Sequence, residues 1–187
     1  MKHLALLLAS SALALAACSP SAPPPAEPAE PAAQEIRVEV QRATESGAGD
    51  SLGTVTFREA DGRVLINVDL SGLPGGEHGF HLHEHASCAP HSEPGGAITP
   101  AGAAGAHYDP EGTGTHAGPE GAGHLGDLPR LEADAEGRVQ AELNAPRITA
   151  LSQVRGRALM IHAGGDNYTD TPANGGGGAR LGCVVIN

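Results

Sequence analysis

An all-β domain is predicted, built as an antiparallel sandwich or barrel whose two long loops carry the functional residues. Short apolar segments alternate with polar residues at the two-residue period of a strand, most clearly over residues 64–70. Turns that contain Gly or Pro separate these segments at regular spacing, and helical periodicity is absent throughout. With no Trp, two Phe and two Tyr, the core is expected to be aliphatic.

The predicted strands follow one another along the second part of the chain. They occupy residues 36–40, 55–57, 64–70, 79–83, 131–133, 139–143, 158–162 and 181–186. Asp61-Gly62 and Glu136-Gly137 have the composition of tight hairpin turns. Residues 84–127 and 163–180 are rich in Gly and show little periodicity, so they are predicted to be loops. Loops of that length are usually functional or disordered, and we expect function because the first one carries four candidate ligands.

The N-terminus is predicted to be an export signal. Lys2 precedes an apolar stretch, residues 4–17, that is shorter than the roughly 20 apolar residues of a membrane-spanning helix. The stretch ends in Leu15-Ala16-Ala17-Cys18, which resembles the bacterial lipoprotein signal, where the cysteine becomes the lipid-bearing first residue. Residues 1–17 are therefore interpreted as a lipoprotein-type signal peptide, with Cys18 as the lipidation site. The alternative is an ordinary signal peptide that leaves Cys18 as a spare thiol.

Residues 18–34 are predicted to be a tether. Ser, Pro, Ala and Glu dominate them, so the segment cannot bury enough apolar surface to offset the entropy of ordering it. The folded domain is then residues 35–187, a length that suits one domain with a substantial core. The mature protein is expected in the periplasm or cell envelope, where it would contact the membrane only through the N-terminal lipid.

The charge of the chain excludes some classes of partner. Lys2 is the single lysine, so removal of the signal peptide leaves ten Arg against 22 acidic residues, a formal charge of −12. A chain with this charge is not expected to bind nucleic acid or anionic lipid. It can still bind a small anion, because the local charge around a site can differ in sign from the total.

Two cysteines remain if Cys18 carries lipid. In an exported protein Cys88 and Cys183 can pair. Such a bridge would close a long loop, which the chain-entropy account values at roughly 4 to 5 kcal/mol. The alternative is two buried reduced thiols, which an oxidising compartment disfavours.

Two histidines one residue apart begin a candidate metal site. His81 and His83 lie in a predicted strand, whose two-residue period points both rings to the same face. Paired histidines also occur by chance on strands that face solvent. Here, however, further candidate ligands follow in the first loop and at the end of the strand at 158–162. They are His107, His116, His124, Asp127 and His162.

The number of candidate ligands fits two metal ions. Six histidines and one aspartate supply seven ligands if they converge, whereas two four-coordinate metals need eight. A bridging histidine, which has two ring nitrogens, would supply the eighth position, and so would a water molecule. An all-imidazole set suits Cu(II), and three His with one Asp suit Zn. The set contains no thiolate or methionine, which disfavours a Cu(I) carrier site.

Seven short motifs occur in a fixed order along the chain. They are Gly-Phe-His-Leu-His (79–83), Gly-Ala-His-Tyr-Asp-Pro (105–110), Gly-Thr-His-Ala-Gly-Pro (114–119), Gly-His-Leu-Gly-Asp-Leu-Pro (123–129), Leu-Met-Ile-His (159–162), Gly-Gly-Asp-Asn-Tyr (164–168) and Gly-Gly-Gly-Gly-Ala-Arg (175–180). In order and spacing they resemble the bacterial copper/zinc superoxide dismutases, and the resemblance extends over about residues 36–187. It implies an eight-stranded Greek-key β-barrel, present as a monomer or a homodimer.

The resemblance also implies roles for single residues. The implied copper ligands are His81, His83, His107 and His162. The implied zinc ligands are His107, His116, His124 and Asp127, with His107 as the bridge. Asp166 matches the aspartate that joins His81 to His116, Cys88 and Cys183 match a disulfide, and Arg180 matches the arginine beside the copper.

The implied activity is dismutation of superoxide to O2 and hydrogen peroxide by a redox-cycling copper. The resemblance implies that His107 carries a proton and that Arg180 attracts and orients the anion. Two other functions are alternatives to superoxide dismutation. A non-enzymatic copper-binding or copper-delivery module could lack His162 or Arg180, both of which this chain keeps. A zinc hydrolase needs an open zinc position and a nearby base, and the closed set of three His and one Asp argues against it.

The chain departs from the family pattern at a few positions. Val184 follows Cys183 where the family usually has Gly, which leaves the local backbone there open. Residues 89–106 form the longer insertion typical of bacterial members. His78, His85 and His91 match no family ligand, and we expect all three to be solvated loop histidines.

Overall fold

The computed structural model describes residues 34–92 and 94–187, which form β-strands and three short 3-10 helices. The predicted signal peptide, the lipidation site Cys18 and the tether up to residue 33 lie outside the described residues. Nowhere in residues 34–92 and 94–187 does a helix have the length and apolarity needed to cross a bilayer.

The strands alternate with the two predicted loops in the expected order. They are β1 (Glu35–Thr44), β2 (Gly47–Ala60), β3 (Arg63–Leu70), β4 (Gly76–His78), β5 (Phe80–His83), β6 (His91–Ser92), β7 (Ile98–Thr99), β8 (Leu131–Ala133), β9 (Val139–Ala145), β10 (Arg157–His162) and β11 (Arg180–Ile186). Within the described residues, β6 and β7 form a small antiparallel ribbon inside the first loop, which the sequence pattern did not predict.

Seven strands form one antiparallel sheet in the order β5-β10-β11-β1-β2-β3-β9, and β4 pairs with β8. Because β8 continues into β9 through a tight turn, the β4–β8 pair joins the two ends of the curled sheet. If β4 and β5 are counted as one strand interrupted at Gly79 and the separate β6–β7 ribbon is left out, the described residues contain the eight strands of the predicted barrel. The connections β3 to β4 and β9 to β10 cross between the two ends of the sheet, which is a Greek-key arrangement.

The hairpins and the core follow from local sequence. Asp61 and Gly62 have φ values of 53° and 68°, as a two-residue hairpin turn between β2 and β3 requires. The apolar residues at alternate positions of β3, from Val64 to Leu70, are all buried. They pack with both phenylalanines, Phe57 and Phe80, and with a mainly aliphatic set from the other strands. This rigid barrel carries the two long loops that complete the site.

Candidate metal centre

Strand β5 is the base on which the site is built. All four of its residues are buried, including His81 and His83. On one side β5 pairs with β10, the strand that ends in His162. On the other side the first loop returns to it, with isolated β-bridges from His81 to Asp127 and from His83 to His107. The backbone therefore brings together residues that are far apart in the sequence.

A first group of four buried histidines converges at this point. Its members offer ring nitrogens that all lie within 4.8 Å of one another. They are His81, His83, His107 and His162. These are the four residues predicted to bind copper.

The protonation of two rings in this group follows from their backbone partners. His83 Nδ1 lies 2.9 Å from Gly105 O, and His162 Nδ1 lies 3.2 Å from Gly178 O. A carbonyl only accepts, so each Nδ1 donates and each Nε2 carries a lone pair. The two Nε2 atoms face each other at 3.4 Å. Opposed lone pairs cannot hydrogen-bond each other, and this arrangement fits a cation held between them.

A second group contains three of the four predicted zinc ligands. His81, His107, His116 and Asp127 offer ligand atoms that also lie within 4.8 Å of one another. His124, the fourth predicted zinc ligand, is adjacent to this group, with Nδ1 3.4 Å from Asp127 Oδ1. The second group contains His81 instead of His124. The His81 ring lies beside the His107 ring, with ring centroids 4.0 Å apart.

Asp166 connects the two groups through one hydrogen bond to His81 and one to His116. Its Oδ2 lies 2.8 Å from His81 Nε2, and its Oδ1 lies 2.8 Å from His116 Nε2. The carboxylate accepts both protons, which leaves Nδ1 of His81 as a lone pair, while Nδ1 of His116 lies 3.0 Å from Asp127 Oδ2. Among the described residues, the Nδ1 atoms of His81 and His124 are buried without a hydrogen-bond partner. Two orphaned ring nitrogens beside carboxylates fit a metal centre that these residues would hold.

Burial keeps the rings of the first group neutral. Desolvation is the main cause that lowers the pKa of His83 to about 2, of His162 to about 3 and of His107 to about 4. For His107, the hydrogen bond to Asp127 opposes this shift. Because a neutral imidazole is the form that binds one metal ion, His83 and His162 need to lose no proton at neutral pH to become ligands. His107 would have to lose its remaining N–H proton to bind two metal ions.

The pKa of His116 is raised, whereas the pKa values of the first group are lowered. Burial by itself lowers its pKa, but the neighbouring carboxylates of Asp127 and Asp166 outweigh burial and raise the pKa to about 9. In return, His107 and His116 hold the pKa of the Asp127 carboxyl well below its usual range, against the effect of burial. His116 and His81 do the same for Asp166. The region predicted to bind zinc therefore combines two carboxylates, Asp127 and Asp166, with one ring that is protonated at neutral pH.

Arg180 is the positive group beside the first set of histidines. It pairs with His162 across β10 and β11, at a register irregularity. Its guanidinium donates to Ala101 O at 2.5 Å and to Gly105 O at 2.6 Å. Gly105 O also accepts from His83, so one carbonyl fixes both the arginine and the histidine.

The two predicted cysteines form a disulfide, and the backbone around Cys183 is an ordinary strand. Cys88 and Cys183 form a disulfide with a Cα–Cα distance of 5.8 Å, which joins the first loop to β11. Val184, whose backbone the sequence left open, continues β11 and pairs with Leu159 of β10. The valine is therefore accommodated as an ordinary strand residue.

One prediction about the remaining histidines is wrong. His78 was expected to be solvated, but it is only 1% exposed. Its Nδ1 lies 2.8 Å from His162 O and its Nε2 2.8 Å from Pro74 O. The sequence offers no signal for this role, since both partners are main-chain atoms. His85 is exposed beside Glu84, and His91 is exposed in β6, in agreement with the prediction.

Comparison with known proteins identifies the family. The family model described as copper/zinc superoxide dismutase (SODC) matches residues 51–186. The chain belongs to the copper/zinc superoxide dismutase family. It is 50% identical over 155 residues to the copper–zinc superoxide dismutase of Brucella abortus biovar 1 (strain 9-941), which covers 82% of this chain and 89% of that protein.

Solved structures of superoxide dismutases have the same fold. The copper/zinc superoxide dismutase from Brucella abortus superposes with a TM-score of 0.79 at 49% identity, covering 82% of this chain and 100% of that one. The solution structure of the monomeric copper, zinc superoxide dismutase from Salmonella enterica gives a TM-score of 0.74 at 46% identity, with the same coverage. The family and fold predicted from the seven motifs are confirmed.

Proposed function

We propose that this chain dismutes superoxide, converting two superoxide anions and two protons to O2 and hydrogen peroxide. The observation that carries the proposal is the group of four buried histidines with two opposed Nε2 lone pairs. Arg180, a half-buried cation, stands next to it. Copper would supply the one-electron chemistry when bound, and zinc would hold the neighbouring carboxylate and rings.

We assign the ligands as the sequence predicted. Copper would be held by His81, His83, His107 and His162, and zinc by His107, His116, His124 and Asp127. His124 is preferred to His81 as the fourth zinc ligand because its buried Nδ1 lies 3.4 Å from Asp127 Oδ1, whereas the Nδ1 of His81 is already assigned to copper. With His107 in both sets, seven residues fill eight positions, and no water is needed to complete them.

Each residue of the site has a distinct part in this proposal. Asp166 holds a proton at Nε2 of His81 and His116, so that both rings present Nδ1 to the metals. His107 Nδ1 faces Asp127 Oδ1, so its Nε2 is the nitrogen that would be shared between copper and a proton carried to the developing product. Arg180 supplies fixed positive charge where the anion arrives.

The proposal places the enzyme in the cell envelope. Residues 1–17 would direct export, Cys18 would carry lipid, residues 18–34 would form a tether, and residues 35–187 would form the enzymatic domain. The Cys88–Cys183 disulfide supports an oxidising compartment.

One experiment tests the function directly. Superoxide dismutation is measured on purified protein loaded with copper and zinc, and the metal content is determined on the same sample. We expect the activity to be proportional to the amount of bound copper. The variant His83→Ala should lose the activity. Copper-loaded protein without dismutation would contradict the proposal and would favour a copper-binding or copper-delivery module.

A further inference from the structure

Asp166 accepts a third hydrogen bond that comes from neither predicted metal ligand. The backbone N–H of Tyr168 donates to Asp166 Oδ1 at 2.7 Å, the same oxygen that accepts from His116. With His81 on the other oxygen, the carboxylate is fixed in its plane from three directions. The orientation of Tyr168 therefore bears on how the aspartate meets both rings.

Tyr168 holds a backbone conformation that non-glycine residues rarely adopt. Its φ is 61°, in the left-handed region, so the surrounding structure must enforce it. The ring lies against Gly118, where a Cβ would come within 2.6 Å of Tyr168 Cγ. Gly118 thus leaves the space that the tyrosine ring occupies. The Tyr168 hydroxyl accepts from the backbone N–H of Arg130 at 3.0 Å.

Arg130 also contacts the other end of the segment 166–168, at Asp166. Its NH1 donates to the main-chain carbonyl of Asp166 at 3.1 Å, and its NH2 lies 3.0 Å from Glu77 Oε1. The guanidinium carbon also stands 5.3 Å from the centroid of the Tyr168 ring. Backbone and side chain of Arg130 together therefore fix both ends of the segment 166–168.

We propose that Tyr168 and Arg130 are positioning residues that act on both metals through Asp166. The side chain of Tyr168, held between Gly118 and Arg130, maintains the strained backbone whose N–H orients the carboxylate. Asp166 in turn fixes His81, assigned to copper, and His116, assigned to zinc. This inference rests on the metal assignment proposed above.

The test compares the release of copper and zinc from loaded variants during dialysis against a chelator. Tyr168→Ala should release both metals about tenfold faster than the unmodified protein, the low end of the effect of losing a partner of a metal ligand. Arg130→Gln and Tyr168→Phe each remove part-buried side-chain contacts and should each accelerate release by about two- to fivefold. The visible absorption of bound copper should shift in Tyr168→Ala, because the His81 ring loses its fixed orientation.

The control is Arg138→Gln, which removes an exposed arginine paired with Asp134 and Glu136 in the β8–β9 turn. It should release both metals at the unmodified rate. Faster release of zinc alone from Tyr168→Ala would overturn the inference, since it would place the effect in the Gly118 loop rather than at Asp166. If Tyr168→Ala does not fold, unchanged release from both Arg130→Gln and Tyr168→Phe would overturn it. Unmodified protein that binds neither metal would instead refute the proposed function.

Discussion

His83 and His162 face each other through Nε2 atoms 3.4 Å apart, although 79 residues separate them in the sequence. Each ring is anchored at its other nitrogen by a main-chain carbonyl, of Gly105 for His83 and of Gly178 for His162. The two lone pairs are thus aimed before any ion arrives. Preorganisation of this kind makes the site specific for a metal rather than for a proton, because burial lowers the pKa of both rings.

The two metals should respond differently to loss of single histidines. His107→Ala should disturb copper and zinc together, because His107 belongs to both close groups. His83→Ala should lose mainly copper, because His83 belongs to the first group alone. Metal content after equilibrium loading measures both effects. A His107→Ala protein that lost only one metal would contradict bridging.

Asp166→Asn should weaken retention of both metals. An amide offers one accepting oxygen, so it cannot accept from both His81 and His116 as the carboxylate does. Loss of such a partner typically costs about 10–100-fold in affinity or activity. Dialysis against a chelator measures the loss, with exposed Glu111→Gln in the first loop as the matched control. Retention and activity equal to the unmodified protein would show that Asp166 is only a loop residue.

Activity should fall as ionic strength rises. The chain is acidic overall, but Arg180 places positive charge beside the copper group, and screening acts over ~10 Å at 0.1 M salt. Arg180→Ala should lower the rate about tenfold and flatten or reverse the salt dependence. Arg180→Lys should give an intermediate rate, because one ammonium cannot reproduce a fork that donates to both Ala101 and Gly105.

Chemical modification gives a second check on Arg180. The chain contains no lysine after Lys2, so an arginine-specific reagent should inactivate the enzyme and an amine-specific reagent should not. Inactivation by the amine reagent would refute this account. So would an Arg180→Ala enzyme with full rate and the same salt dependence.

Zinc binding to the metal-free protein should release about one proton per chain at pH 7. The pKa of His116 is raised to about 9, so its ring is protonated at pH 7 and must lose that proton to bind zinc. Calorimetry in buffers of different ionisation enthalpy measures the release, which should vanish as the pH rises above 9. For the same reason His116 stabilises the metal-free fold below pH 6.5, and this contribution is lost as the pH rises through about 9. Heats independent of the buffer at pH 7 would show that His116 is already neutral.

The N-terminal prediction is tested by mass spectrometry of the mature protein. The sequence Leu15-Ala16-Ala17-Cys18 predicts acyl chains on Cys18 as the first residue. Cys18→Ser should leave the signal uncleaved at this position and the protein unacylated. An unmodified mature chain that begins elsewhere would exclude lipidation.

The site could be predicted from the sequence where local rules apply. The two-residue period of a strand places His81 and His83 together, and the structure buries both in β5. The positive φ values of Asp61 and Gly62 bear out the turn that their composition predicts. The strand period and the turn composition depend only on residues that are close in the sequence, so the sequence alone predicts them.

The features that were missed depend on main-chain atoms that tertiary folding brings together. His78 lies where the strand breaks at Gly79, and its partners Pro74 O and His162 O cannot be deduced from residue types. The β6–β7 ribbon arises inside an insertion without periodicity. Tyr168 carries its role through its backbone N–H, which every residue except proline possesses. Side-chain chemistry was therefore predictable, and its main-chain support was not.

Asp166 and His107 make the two sites thermodynamically inseparable. One carboxylate grips a ring of each group, and one imidazole belongs to both. By linkage, whatever factor bound zinc contributes to the affinity for copper, bound copper must contribute to the affinity for zinc. Where one of these ions is scarce, the supply of the other would set how long the scarce ion is retained. The metal content of each chain would then depend on which of the two ions it had met earlier.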